Sequence, residues 1–97
     1  MKQHVYYVYV ATNKRHTVLY TGVTNSLIKR DFQHKIKFYP NSFTAKYNVE
    51  KVVYYEIFGN INAAIFREKQ IKAGSRQDKI NLINALNPEW KDLLEDY

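Results

Sequence analysis

The stretch that decides the fold is HVYYVYVATNKRHTVLYTGVTNSLIKRDFQH, which runs from His4 to His34. Its opening run of Val and Tyr is typical of a buried strand and predicts one over residues 4–11. The polar letters TNKRH predict a turn, and TVLYTGV predicts the returning strand over residues 17–23. Asn25 then caps a predicted helix over residues 26–37, whose apolar side is a set of four residues. These are Leu27, Ile28, Phe32 and Ile36.

The spacing of four side chains in this stretch predicts that they meet. Tyr9 and Tyr20 are 11 residues apart, so a hairpin with a two-residue or four-residue loop pairs them directly. Directly opposed residues share one sheet face, with Cβ atoms about 4.5–5.5 Å apart. Arg30 and His34 are four residues apart, which stacks them on one side of a helix. Gly22 lets another group approach the backbone closely. From spacing alone, a tyrosine-rich sheet core beside an ordinary basic helix explains the pattern at least as well.

The motifs in this stretch resemble those of the GIY-YIG endonuclease superfamily. Val8-Tyr9-Val10 stands for its first signature tripeptide and Tyr20-Thr21-Gly22 for its second, with Arg30 and His34 following at matching spacing. Further on, REKQIK resembles the helix that carries the family's metal-binding glutamate, here Glu68. The ending SRQDKINLINALNPEWKDL is similar to a small stand-alone bacterial branch. Val8 and Thr21 depart from the signature, but the chemistry uses neither residue.

The resemblance implies an α+β fold with a small, mainly antiparallel three-stranded sheet flanked by helices. It also implies a metal-dependent endonuclease that hydrolyses DNA phosphodiester bonds, on branched, damaged or single-stranded DNA in repair. The alternative is a non-catalytic nucleic-acid-binding module that retains the fold. Intact Arg30 and Glu68 favour the enzyme, whereas a chain with no second domain for substrate recognition favours the binding module.

The resemblance further implies a role for each candidate catalytic residue. Glu68 binds one divalent ion, Mg²⁺ or Mn²⁺, which prefers oxygen ligands and keeps several waters. Arg30 places two donors on the phosphate, a geometry that Lys cannot match. Either Tyr9 or Tyr20 helps to deprotonate the attacking water, and the sequence does not separate them. His34 orients water or accepts a proton.

Glu68 has two interpretations on the residues alone. It falls in the apolar stripe of a predicted helix over residues 61–73, and a carboxylate there costs free energy unless it is paired or ligated. The stripe consists of Ile61, Ala64, Ile65 and Ile71. Otherwise Glu68 lies at the edge of the stripe and pairs with Lys72, four residues on.

The net charge of +6 is concentrated in residues 12–51, which hold eight Lys or Arg and two acids. A basic face favours a polyanionic partner, DNA or RNA, although basic charge also keeps a small protein soluble. The last ten residues are acidic, with four acids and one Lys. The candidate nucleic-acid-binding residues are Lys14, Arg15, Lys35, Lys37 and Lys46, with Phe43 and Tyr47 to stack on bases. The alternative is that these aromatics are core residues closing the sheet, which is the favoured role for Tyr47 beside the third strand.

The remaining patterns bound the architecture and the setting. A length of 97 residues predicts one domain, residues 1–97. The absence of Cys excludes disulfides and thiolate metal sites. The N-terminal letters MKQHVYY do not resemble a signal peptide, so we expect a cytoplasmic protein. KVVYYEIF predicts a third strand over residues 51–58, and the Ser75–Asp78 spacing predicts a helix to residue 86. Asn87-Pro88 predicts a last short helix, from which Trp90, Leu93 and Leu94 pack back.

Overall fold

The computed structural model describes residues 4–96, which form an antiparallel three-stranded sheet with four helices. The strands are β1 (Tyr6–Thr12), β2 (Leu19–Thr24) and β3 (Lys51–Phe58). The helices are α1 (Leu27–Lys35), α2 (Phe43–Lys46), α3 (Ile61–Ala73) and α4 (Arg76–Leu86). β1 is the central strand, with β2 and β3 on its two sides. The predicted α+β fold class is confirmed.

Both faces of the sheet are covered, which is why β1 reads as a nearly continuous apolar run. Successive side chains of a strand point to opposite faces. Val8 and Val10 therefore pack on one side with Ala64 of α3 and Ile83 of α4. The other side is a second core cluster of buried residues, namely Tyr9, Ala11, Leu27, Val49, Val52 and Leu94. The central strand thus separates two small cores.

The predicted direct pairing of Tyr9 with Tyr20 is wrong by two residues. Tyr9 lies opposite Gly22, and Tyr20 lies opposite Ala11. The connection is the longer loop of residues 13–18, because the Asn13 Oδ1 atom accepts hydrogen bonds from the backbone N–H groups of Thr17 and Val18 at 2.9 and 3.2 Å. A register shift by an even number of residues leaves each side chain on the same face of the sheet. Tyr9 and Tyr20 therefore lie on one face, as predicted.

Helix α1 is shorter than predicted, and it turns an unexpected side to the sheet. Its N-cap is Ser26 rather than Asn25, since the Ser26 hydroxyl accepts from the Lys29 N–H at 3.3 Å. Asp31 and His34 are buried beside Leu27. The other residues of the predicted apolar side, Ile28, Phe32 and Ile36, each expose more than half of their surface. That part of the prediction is wrong, because the sheet presents a polar phenol to the helix.

The predictions for β3, α3 and α4 are confirmed at or within a residue of their bounds. Asn60 caps α3, and the reciprocal Ser75–Asp78 capping box begins α4. The two hairpin strands were predicted over residues 4–11 and 17–23, and each observed strand begins two residues later. The short helix α2, capped by Ser42, was not predicted.

The predicted last helix does not form in residues 88–96, which adopt turns and irregular backbone. Trp90 takes a left-handed φ of 54°, which interrupts helical geometry. The segment nevertheless packs back as expected: Leu94 is buried, and the Leu93 N–H donates to the Val52 carbonyl at 2.9 Å. Within residues 4–96, no helix combines the length and apolar character needed to cross a membrane.

Candidate active site

The centre of the candidate site is Tyr9, whose side chain lies across the backbone of Gly22. Tyr9 is only 1% exposed. A Cβ atom on residue 22 would lie 2.6 Å from Tyr9 Oη and 2.7 Å from its Cζ, closer than real Cβ contacts allow. The missing side chain of Gly22 therefore makes the space for the phenol ring.

The Tyr9 hydroxyl is 3.0 Å from Nε2 of His34, which α1 places over the sheet. Burial, together with the positive charge of Arg30, lowers the pKa of His34 to about 4, so its imidazole is neutral at pH 7. Burial and the neighbouring Tyr20 raise the pKa of Tyr9, so the phenol keeps its proton. The Tyr9 hydroxyl and Nε2 of His34 therefore form a hydrogen bond between two neutral groups.

Tyr20 and Arg30 are the more exposed residues of the site and line a cavity at its surface. The Tyr20 ring lies 6.1 Å from the Tyr9 ring and 6.0 Å from the His34 ring, between centroids. Tyr20, Arg30 and His34 all line one small cavity of about 120 Å³. Arg30 is close enough to Tyr9 for its charge to lower the pKa of that phenol, against the larger effect of burial. The structure thus brings together Tyr9, Tyr20, Arg30 and His34, as their spacing predicts.

Glu68 joins this group from α3, which packs against β1 and β2. Its side chain is 17% exposed, and its Oε2 atom lies 2.8 Å from Nζ of Lys72. Its negative charge also acts on Tyr9, whose pKa it raises. Glu68 therefore forms the pair expected at the edge of the stripe and still lies within electrostatic reach of the site.

The donor set fits a hard divalent ion with few protein ligands. In residues 4–96, no three His, Cys, Asp or Glu side chains are grouped so that they could hold a metal ion. Within residues 4–96, Glu68 is the carboxylate whose charge acts on Tyr9. Mg²⁺ is commonly bound through one or two carboxylates, several waters and a substrate phosphate. Glu68 is the residue that would hold such an ion.

The two predicted stacking residues form an aromatic surface beside the cavity. Phe43 also lines the cavity and stacks on Tyr20, with 6.0 Å between centroids and 28° between ring planes. The Tyr47 ring lies 4.7 Å from Phe43, and Nζ of Lys46 lies 5.4 Å from the Tyr47 centroid. Tyr47 is 41% exposed, so its alternative role as a core residue is wrong.

The predicted cations divide into two groups. Lys35 lies between Asp31 at 2.6 Å and Asp92 at 3.0 Å, and Lys37 pairs with Glu50 at 2.9 Å. The other three, Lys14, Arg15 and Lys46, are exposed and form no salt bridge within residues 4–96. Binding of nucleic acid by any of the five stays a prediction.

The sequence patterns did not predict four further residues that line the cavity, namely Gln33, Tyr39, Ser42 and Thr44. Gln33 follows Arg30 by three residues, so helical spacing could have placed it beside the site. The other three lie around the start of α2, where the sequence shows no periodicity that could have located them.

Comparisons with known proteins point to one family. The family described as the GIY-YIG catalytic domain matches residues 5–81. A UPF0213 protein of Clostridium perfringens (strain 13 / Type A) is 41% identical over 83 residues, covering 81% of this chain and 83% of that protein. A UPF0213 protein of Syntrophus aciditrophicus (strain SB) is 36% identical over 83 residues, covering 86% of this chain and 93% of that protein.

A solved structure shares the fold. The solution NMR structure of a UPF0213 protein from Bacillus halodurans matches with a TM-score of 0.57 and 23% sequence identity, covering 91% of this chain and 92% of that chain. At this level of identity the likeness supports the fold alone.

Proposed function

The chain belongs to the GIY-YIG catalytic-domain family, and from this premise we propose that it is a divalent-metal-dependent endonuclease that hydrolyses DNA phosphodiester bonds. One observation carries the proposal: Tyr20, Arg30, His34 and Glu68 all act on the same buried phenol, that of Tyr9. A site that only bound nucleic acid would not need a carboxylate close to the phosphate. The expected setting in DNA repair belongs to the same proposal.

Arg30 binds the scissile phosphate in the cavity that it lines with Tyr20 and His34. Its planar guanidinium offers paired donors to two phosphate oxygens. The wall formed by Phe43 is apolar, which strengthens this charge-assisted contact by excluding water. Arg30 thereby fixes the phosphorus relative to the two tyrosines.

The two tyrosines have different access to the attacking water. Tyr9 is 1% exposed and its hydroxyl is hydrogen-bonded to Nε2 of His34, so it has little access to the attacking water. Tyr20 is half-buried and lines the cavity. We therefore assign contact with the attacking water to Tyr20. Tyr9 and His34 form a neutral pair that holds the Tyr20 ring in place.

Glu68 would hold Mg²⁺ or Mn²⁺, together with waters and phosphate oxygens. When bound, the ion neutralises the phosphoryl charge and stabilises the leaving oxygen. The chain contributes the Glu68 carboxylate from α3, within electrostatic reach of Tyr9. Its second oxygen, Oε1, has no salt-bridge partner in residues 4–96.

The substitution Glu68→Gln tests the proposal, measured with labelled single-stranded, nicked and branched DNA in Mg²⁺, Mn²⁺ or EDTA. We expect cleavage by the wild type with either ion, none with EDTA, and none by Glu68→Gln. DNA binding and thermal stability should remain near those of the wild type, because Gln has the size and shape of Glu and the Lys72 end of the ion pair is half exposed. Lys72→Gln is the matched control: it breaks the same ion pair, keeps the carboxylate and should still cleave.

One observation favours the alternative of a non-catalytic binding module. Nζ of Lys72 lies 2.8 Å from Glu68 Oε2 and so occupies one face of the carboxylate that a metal ion needs. On this alternative, the wild type binds DNA and cleaves no substrate with either metal ion. The same assay therefore separates the two functions.

A further inference from the structure

A second depression, of about 340 Å³, lies beside the loop that joins β1 to β2. We call it the loop groove, and it is lined by Asn13, Lys14, Arg15, Asn48 and Glu50. Lys14 and Arg15 are exposed, with no salt bridge inside the described range 4–96. Two unpaired cations at one groove favour an anionic ligand.

Both walls of the loop groove are held in place before any ligand binds. The Asn13 side chain accepts from the N–H groups of Thr17 and Val18 and donates to the Thr17 hydroxyl at 2.7 Å. On the other wall, the Glu50 N–H donates to the Thr12 carbonyl of β1 at 3.2 Å. A preorganised groove loses little conformational entropy when it binds a ligand.

The one acid in the loop groove is neutralised from outside it. Glu50 would repel a phosphate, but its Oε1 atom lies 2.9 Å from Nζ of Lys37. The pair cancels, so Lys14 and Arg15 leave the groove with a net charge of +2. This assigns Lys37 an indirect role, since it masks the Glu50 charge rather than contacting the ligand.

Residues in and just after α2 line both depressions. Phe43 lines the catalytic cavity, and its ring lies 4.7 Å from Tyr47. Tyr47 immediately precedes Asn48, which lines the loop groove. This segment therefore carries two exposed aromatic rings, with Lys46 over that of Tyr47. Bases stack on such a surface with little regard to sequence.

We infer that the loop groove binds a second backbone phosphate of the same nucleic-acid strand whose phosphodiester lies in the catalytic cavity. Lys14 and Arg15 hold that phosphate, and the bases between the two phosphates lie along Phe43 and Tyr47. The inference rests on the proposed function for the identity of the strand. Its consequence is a length requirement: the substrate must extend from the cavity past α2 to the loop groove.

Binding of fluorescein-labelled single-stranded DNA tests the groove, measured by anisotropy at several salt concentrations in the non-cleaving Glu68→Gln background. Losing the contact with this one phosphate should make the slope of log affinity against log salt shallower by about 0.7. We expect this from Lys14→Ala/Arg15→Ala. Lys69→Ala/Lys91→Ala removes the same charge from exposed positions elsewhere and should leave the slope unchanged. Equal slopes in the two double variants overturn the inference.

Oligonucleotide length gives an independent readout of the same contact. The Lys14→Ala/Arg15→Ala variant should lose affinity, on the order of tenfold at low salt, for long strands. Its affinity for a dinucleotide should equal that of the background protein, because a dinucleotide is too short to reach the groove. Equal losses on both lengths would mean that the two cations act through general charge and would overturn a defined phosphate position.

The masking role of Lys37 has its own test. Lys37→Ala should weaken binding by exposing the Glu50 charge, and Lys37→Ala/Glu50→Gln should restore it. Failure of the double variant to restore affinity would overturn masking and make Lys37 a direct contact.

These results can be separated from those for the proposed function. If the wild type cleaves and Lys14→Ala/Arg15→Ala leaves the salt slope unchanged, the inference that the loop groove binds phosphate is wrong, whereas the endonuclease proposal is supported. If the wild type never cleaves and the salt slope changes as expected, phosphate binding in the loop groove is supported and the endonuclease proposal fails.

Discussion

At Gly22 the main chain of β2 passes directly beneath the phenol ring of Tyr9, and this contact defines the site at the scale of single residues. Gly22→Ala would force the ring out of its place, because the new Cβ would lie 2.6 Å from Tyr9 Oη. Overpacking of this kind costs about 1–3 kcal/mol of unfolding free energy. Gly59→Ala is the control, since its Cβ meets no atom within 4 Å. Urea denaturation should separate the two variants, and equal midpoints would contradict the close contact.

His34 gives the stability of the protein a pH dependence whose direction can be worked out. Its pKa falls from 6.5 in the unfolded chain to about 4 in the folded one. Between these values the unfolded chain binds a proton that the folded chain does not, so stability falls as the pH drops from 6.5 towards 4. A shift of this size corresponds to about 3 kcal/mol.

The measurement is the difference in unfolding free energy between wild type and His34→Gln at pH 7 and pH 4.5. The Gln side chain can still accept from Tyr9 but does not titrate. The wild type should lose more stability than the variant over this range. Parallel pH profiles would show that folding does not lower the pKa of His34, and would contradict this prediction.

Among the secondary-structure elements, α1 is the helix whose apolar pattern does not predict which of its sides packs on the sheet. Its apolar periodicity selects Ile28, Phe32 and Ile36, yet its buried residues include Asp31 and His34. A buried phenol needs a hydrogen-bond partner, and supplying one from His34 decides which side faces the sheet. Hydrophobic patterning carries no information about that requirement.

The orientation of α1 predicts unequal effects of two truncations. Leu27→Ala should cost about 2–5 kcal/mol of unfolding free energy, because Leu27 is buried in the second core cluster. Phe32→Ser should change it by less than about 0.5 kcal/mol, because Phe32 is mostly exposed. Thermal denaturation of both variants checks this, and a larger loss from Phe32→Ser would contradict the observed orientation.

Other elements could be predicted because their signals are local. Asn60 and the Ser75–Asp78 capping box fix the starts of α3 and α4 within a turn of the chain. The hairpin register could not be predicted, because the Asn13 side chain organises the loop through bonds to residues four and five positions away. The shared face of Tyr9 and Tyr20 was predictable despite this, since it depends only on parity along the strands.

At the scale of the whole molecule, the charge that could contact nucleic acid is smaller than composition suggests. Of the eight cations in residues 12–51, Lys35 and Lys37 form ion pairs and Lys51 contacts His16, which leaves five. These five are Lys14, Arg15, Lys29, Arg30 and Lys46. The sequence gives the count of charges but not which acids neutralise them.

About four phosphate contacts from this set predict a salt slope of about −3 for single-stranded DNA. Affinity should therefore fall steeply between low and physiological salt and depend little on base sequence. Arg30→Lys keeps the charge but loses the paired donors, so it should leave the slope unchanged and lose nearly as much cleavage as Arg30→Ala. Binding that does not respond to salt would contradict the electrostatic account.

The position of Leu94 in the second core cluster has a consequence for synthesis on the ribosome. Every other member of that cluster, from Tyr9 to Val52, is translated earlier. The nascent chain can complete the first side of the sheet once Ile83 has left the exit tunnel. The side that carries Tyr9 stays open until Leu94 follows. The candidate catalytic residues are thus translated before the core beneath them can close, and protease protection of that core should arise only after release of this segment.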